Sequence, residues 1–213
     1  MATFAAGSYP LTSTQEGMLF HHAGGAAPGV DVEQIEVALA EEVDAVALEQ
    51  AFRALYTKSP ALRVAFAWGE GEARQTVVDG VAPAVAVHAV AGDDDRGLDA
   101  ALEGAVERYL AADRSAPFDF RAAPLARVAL FQGRGRARLV WTFPHIVMDG
   151  RAFAPALRDL FATYDALRSG AGGAMGAPDA PAAAPFAAYV EAVRSRSGAG
   201  DEAFFRELLA GFG

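Results

Sequence analysis

The chain has 213 residues, 53% of them hydrophobic, no cysteine and a formal net charge of −9. That length and apolar content suffice for a substantial core, and the lack of cysteine excludes a disulfide framework and a thiol nucleophile while fitting a reducing cytoplasm. The acidic balance excludes a general nucleic-acid binder, and Met1 to Tyr9 shows neither the basic start nor the long apolar run of a signal peptide or membrane span, so neither nucleic acid nor membrane is an expected partner.

In chain order, Thr12 to His22 predicts a helix, N-capped by Thr12, ended by Gly24-Gly25 and carrying Gln15, Met18, Leu19 and His22 on one face. His21 and His22 are helical neighbours that point apart, with no nearby carboxylate to complete a chelate, so no metal site is expected. Ile35, Val37 and Leu39 alternate as in a half-buried strand, and Asp44 is placed to N-cap a helix to Lys58 whose inward residues are Leu48, Ala51, Phe52 and Leu55. After Pro60, a strand from Leu62 to Ala67 turns at Gly69-Glu70-Gly71 into Arg74 to Val78. A strand from Ala84 to Val90 then reaches Asp93-Asp94-Asp95, which lacks the spaced ligands and distal glutamate of a Ca²⁺ loop. It reads instead as a solvated turn before a helix from Leu98 to Ala112.

Leu125 to Gln132 and Arg136 to Phe143 predict a hairpin about Gly133-Arg134-Gly135. In its second arm Ala137, Leu139, Trp141 and Phe143 alternate with Arg138, Val140 and Thr142, and Pro144, which has no N–H, ends the strand. Phe153, Ala156, Leu157, Leu160, Phe161, Tyr164 and Leu167 then form one helical stripe. His145, Asp149 and Gly150 therefore fall where a strand gives way to a helix start, a setting that favours a neutral imidazole able to accept a proton. An Ala/Gly/Pro-rich linker is expected over residues 170–185, with short helices at Phe186 to Ser197 and Asp201 to Leu209. Phosphate loops, dinucleotide fingerprints and a Gly-x-Ser-x-Gly elbow are absent. Helices mixed with strands imply an α+β lobe, a mixed α/β two-layer sandwich.

His145-Ile146-Val147-Met148-Asp149-Gly150 resembles the latter part of the His-His-x-x-x-Asp-Gly signature of nonribosomal peptide synthetase condensation domains and their chloramphenicol acetyltransferase-like relatives. Leu11-Thr12-Ser13-Thr14-Gln15-Glu16-Gly17-Met18-Leu19-Phe20-His21 resembles the family's first motif, and Ser59-Pro60-Ala61-Leu62-Arg63-Val64-Ala65-Phe66 its second. Pro117-Phe118-Asp119-Phe120 and Pro124-Leu125-Ala126-Arg127 are similar to the segment before the signature, so the motifs occur in family order.

The resemblance implies a chloramphenicol acetyltransferase-like lobe and an acyltransferase that joins a carrier-bound acyl or peptidyl thioester to the amine of a carrier-bound acceptor, in secondary metabolite or antibiotic biosynthesis. His145, Asp149 and Gly150 would be the catalytic residues, with Arg63 and Pro144 in support. An Arg63–Asp149 pair would hold the loop, the alternative being Asp149 as a helix cap, and Gly150 would supply either a positive φ or room for a pantetheine arm. No cofactor is expected to bind directly, since phosphopantetheine arms of donor and acceptor carrier proteins bring the substrates. Two departures stand out. Pro144 replaces the first histidine of the pair, and the chain ends about where a condensation domain enters its second lobe. The expected organisation is a lobe core over residues 1–169, the linker over 170–185 and a helical segment over 186–213 leading towards that absent lobe, with self-association of the isolated lobe through its uncovered apolar face. Pro144 also keeps open a degenerate lobe that docks carrier proteins or tailoring enzymes without catalysis.

Overall fold

The computed structural model describes residues 7–25, 29–170, 186–196 and 199–211. The main sheet takes the order β2-β7-β6-β5, from Val32–Leu39 (β2), Arg136–Pro144 (β7), Arg127–Gly133 (β6) and Val85–Ala89 (β5). β7 runs antiparallel to both β2 and β6, while β5 runs parallel to β6. A smaller antiparallel sheet, β1-β4-β3, joins Ser8–Pro10 (β1), Arg74–Val77 (β4) and Val64–Ala67 (β3).

Period-two alternation decides what each face of β7 meets. Leu139, Trp141 and Phe143, with Ile35, Val37 and Leu39 of β2, pack against Leu48, Phe52 and Leu55 of α2 (Ala45–Lys58) and Leu160 and Tyr164 of α4 (Phe153–Arg168). The opposite face, Val140 with Ala129 and Phe131, packs on Leu98, Leu102 and Val106 of α3 (Asp95–Ser115). Val140 and Thr142 are fully buried in consequence. The mixed α and β character is as the pattern implies, and the main sheet carries helices on both faces. A third apolar cluster, formed by Leu11, Leu19, Val64, Phe66, Phe120, Leu125 and Ile146, ties α1 (Ser13–Ala23) and the small sheet to the residues that follow β7.

Local chemistry sets the helix starts. Thr12 caps α1 in a capping box whose returning side chain is Gln15, three residues on. Asp44 accepts from the N–H groups of Val46 and Ala47, and Asp94 of the acidic run accepts from Gly97 at 2.7 Å. Of the boundaries that differ from expectation, two lie at prolines. The strand read from Leu62 begins at Val64, because Pro60–Arg63 forms a 3₁₀ turn with proline suited to its first position. Pro144 is the last residue of β7 rather than a stop before it, paired in register with Val32. Apart from Gly170, the expected linker lies outside the described residues. Beyond it are α5 (Phe186–Arg196) and α6 (Ala199–Leu208), and Arg194 of α5 donates to the Leu11 carbonyl and the Glu16 carboxylate, each at 2.9 Å. Among the described residues no helix is long and apolar enough to cross a membrane.

Candidate active site

The residues after β7 alternate between anchors and open positions. Ile146 and Met148 are buried, whereas His145 is partly exposed and Asp149 and Gly150 are exposed. Three backbone contacts hold the loop. The His145 N–H donates to the Asp31 carbonyl at 2.8 Å, the Val147 N–H donates to the Pro144 carbonyl at 3.1 Å, and the Ile146 carbonyl accepts from Gln15 Nε2 at 3.2 Å. α1 and the strand edge therefore fix the histidine from both sides, through residues of the first motif and of the β2 approach.

The structure brings His145, Asp149 and Gly150 together with Glu33, Ile35 and Phe143 around one cavity of about 360 Å³. The His145 imidazole is 35% exposed, its Nδ1 is buried without a hydrogen-bond partner, and the nearest carboxylate oxygen, Glu33 Oε1, lies 3.8 Å away. The exposure of the ring thus belongs to its other edge, the one carrying Nε2. Such an edge can take a proton from a nucleophile placed in the cavity. Sequence reasoning passed over Glu33. Its signal was the stripe Glu33, Ile35, Val37, Leu39, where a carboxylate occupies the first position of an otherwise apolar strand face.

The expected Arg63–Asp149 pair is not formed. Asp149 is exposed and its Oδ1 accepts from the N–H groups of Arg151 at 3.0 Å and Ala152 at 2.9 Å. Arg63, only 8% exposed, donates to the Tyr56 carbonyl at 2.7 Å, the Val78 carbonyl at 2.9 Å and Asp79 Oδ1 at 2.7 Å. The physical reason is local on both sides: Arg63 ends the 3₁₀ turn among backbone acceptors of α2 and the β4 exit, while Asp149 satisfies donors of its own turn. α4 begins at Phe153, two residues before Pro155. Pro155 is then its third residue, within the first turn, where N–H groups have no helical acceptor anyway. Gly150 has no left-handed φ, and a Cβ added there meets nothing within 4 Å, so neither backbone strain nor a neighbour of this chain requires glycine.

On the other side of the loop a second concavity of about 160 Å³ is lined by His22, Asp31, Phe118, Phe120 and Pro144. His22 stacks flat on Phe120, with ring centroids 3.8 Å apart and planes within 3°, in keeping with the α1 face read to include it.

The condensation-domain family model matches residues 5–213. The chain belongs to the condensation-domain family. A linear gramicidin synthase from Brevibacillus parabrevis is 33% identical over 209 residues, covering 96% of this chain and 2% of that protein. Bacitracin synthase 1 of Bacillus licheniformis is 27% identical over 207 residues, covering 96% of this chain and 4% of that protein. Among solved structures, a variant of the starter condensation domain of rhizomide synthetase aligns with a TM-score of 0.78 at 18% identity, over 97% of this chain and 49% of that one. The first condensation domain of the CDA synthetase aligns with a TM-score of 0.77 at 22% identity, over 97% and 51%. The condensation-domain chain thus spans about half the length of those solved chains.

Proposed function

We propose that this chain is the histidine-bearing half of a peptide-bond-forming acyltransferase, in which an acyl or peptidyl thioester on one carrier protein reacts with an amine on another. The observation that carries the proposal is a histidine whose backbone is fixed by Asp31 and whose exposed ring edge borders a cavity, in a chain of the condensation-domain family. The amine nitrogen attacks the thioester carbonyl carbon, a C–N bond forms, the C–S bond breaks, and the proton lost by the amine goes to the leaving thiolate. In this proposal His145 Nε2 carries that proton. Gly150, on the same cavity with open space beyond it, leaves room for a phosphopantetheine arm, which enters as part of the substrate rather than as a resident cofactor. Asp149 acts in this proposal as a loop residue.

The partners proposed are donor and acceptor carrier proteins and a second lobe of similar size. Self-association of the isolated chain belongs to the same proposal, supported by the exposed Phe204, Phe205, Leu208 and Leu209. A cytoplasmic setting is included on the strength of the cysteine-free composition.

The test is His145→Ala in a protein carrying both lobes, assayed with loaded carriers. The expected outcome is a fall in amide formation of about 10²-fold or more with folding intact. Near-wild-type turnover would reject the assignment and favour a lobe that docks carriers or tailoring enzymes without catalysis.

A further inference from the structure

We infer that Glu33 is a positioning residue for His145, accepting a hydrogen bond from Nδ1–H and so reserving Nε2 as the atom that takes the substrate proton. The inference starts from a deficit. His145 Nδ1 is buried and has no hydrogen-bond partner, although a buried polar nitrogen ordinarily has one. The nearest carboxylate oxygen is Glu33 Oε1 at 3.8 Å, beyond hydrogen-bond range but within reach of a side-chain rotation.

Three features make that rotation available and useful. Glu33 sits on β2 opposite Phe143, two residues before His145, so the strand ladder fixes the separation of the two backbones. Two residues before Glu33, the Asp31 carbonyl already accepts the His145 N–H at 2.8 Å, which leaves the imidazole little freedom except about its own side-chain torsions. The Glu33 side chain is 55% exposed and makes no hydrogen bond to another group among the described residues, so it can move towards Nδ1 without breaking one. Both residues border the same cavity. An occupant of that space would exclude water from the carboxylate and strengthen its attraction for the ring N–H, in the way that catalytic hydrogen bonds long in an empty site tighten when it fills.

The consequence is a choice of tautomer. A neutral imidazole carries one N–H, and the hydrogen bond made by one nitrogen decides whether the other is donor or acceptor. With Nδ1–H on Glu33, Nε2 has a free lone pair at the exposed edge of the ring; with the proton on Nε2, the exposed edge could not act as a base. Asp149 lines the cavity too but satisfies the N–H groups of Arg151 and Ala152, so among the described residues Glu33 is the carboxylate in place for the role.

The test reads the tautomer directly and needs no turnover, so its failure is separable from failure of the proposed function on which its catalytic meaning rests. ¹⁵N-imidazole spectra of the chain would be recorded at a pH where the rings are neutral, with His145→Gln used to assign the His145 signal among the four histidines. The expected result is His145 mainly as the Nδ1–H form in the wild type and in Glu33→Gln, which keeps a side-chain oxygen acceptor, and mainly as the Nε2–H form in Glu33→Leu. The signals of His21, His22 and His88 should be unchanged, reporting an intact fold. In the two-lobe protein, Glu33→Leu should lower kcat by about tenfold with KM little changed, and Glu33→Gln should retain most of the rate. An Nε2–H form in the wild type would overturn the inference without reference to any variant, as would an Nδ1–H form that persists in Glu33→Leu.

Discussion

Gln15 and Gln75 hydrogen-bond each other in both directions, Gln15 Nε2 to Gln75 Oε1 at 3.2 Å and Gln75 Nε2 to Gln15 Oε1 at 2.9 Å, across a separation of 60 residues. Both amides are buried, and each spends a second bond on backbone: Gln15 on the Ile146 carbonyl and Gln75 on the Pro10 carbonyl. This pair joins α1 and β4 to the loop that carries His145. Gln75→Leu should therefore cost about 1–3 kcal/mol, the penalty of leaving a buried amide unpaired, and Gln15→Leu should cost a similar amount. The double variant should be markedly less destabilised than the sum, since both buried polar groups then vanish together. Urea unfolding of the set measures it, and strictly additive losses would show that the two amides do not act as a unit.

Arg63 supplies a second test, because its partners differ from those the family motifs implied. Removing it leaves the Tyr56 and Val78 carbonyls without their donor, so Arg63→Ala should destabilise the chain by about 2–4 kcal/mol. Asp79 is 96% exposed and its removal should cost less than about 1 kcal/mol. Asp149→Ala should cost about 0.5–1.5 kcal/mol, the range of a lost hydrogen bond, and should add to Arg63→Ala within about 0.5 kcal/mol. A large coupling between Arg63 and Asp149 in the double-mutant cycle would mean that the two meet after all.

Much of the fold was legible because the chain is locally consistent. Thr12, Asp44 and the Asp93-Asp94-Asp95 run mark helix starts by side-chain chemistry, and the alternation in β2 and β7 sets their buried faces. The second buried face of β7 was not legible: burial of Val140 and Thr142 depends on α3, whose docking is a tertiary event that strand alternation does not encode. His145 could be found from its motif and Asp149 could be placed near it, but the partners of Arg63 could not. Its acceptors are mostly backbone carbonyls, which have no side-chain signature in the sequence. Glu33 was missed because a carboxylate at a strand edge resembles any solvated residue until its register against Phe143 is known.

Alkaline pH should destabilise the chain through its tyrosines. Burial pushes the Tyr9 phenol up to about 12 and the Tyr109 phenol up to about 12, the Asp113 carboxylate adding to the effect at Tyr109, and burial pushes Tyr56 up as well. The unfolded phenols ionise near 10, so between these values the folded chain holds protons that the unfolded chain has lost. Stability from this source is complete below about pH 10 and is lost as pH rises through about 12. Urea midpoints measured at pH 8 and pH 11 should fall between the two, and fall less in the Tyr9→Phe, Tyr109→Phe double variant. An equal fall in that variant would assign the alkaline loss to other groups.

Pro144 stands where the family signature has its first histidine, and its surroundings explain how a proline is accommodated. The His145 N–H to Asp31 carbonyl bond makes those two residues a hydrogen-bonded position of the β2–β7 ladder; by alternation, Pro144 opposite Val32 occupies a non-hydrogen-bonded one. No N–H is required there on the β2 side, and the β6 register ends at Thr142, so none is required on the other. The ring holds φ near about −65°, and the Pro144 carbonyl accepts the Val147 N–H at 3.1 Å, closing the turn that presents His145. The fixed φ and these backbone hydrogen bonds restrain the loop in this chain. Pro144→His in a two-lobe protein should then change the rate of amide formation by less than about tenfold, or about 1.4 kcal/mol in barrier. It should also lower stability slightly, because the new residue gives back freedom in the unfolded chain that proline removes. Paired rate and urea-unfolding measurements on the two proteins distinguish the outcomes, and a gain of several orders of magnitude in rate would show that the proline disables the site and that docking, rather than catalysis, is what this lobe retains.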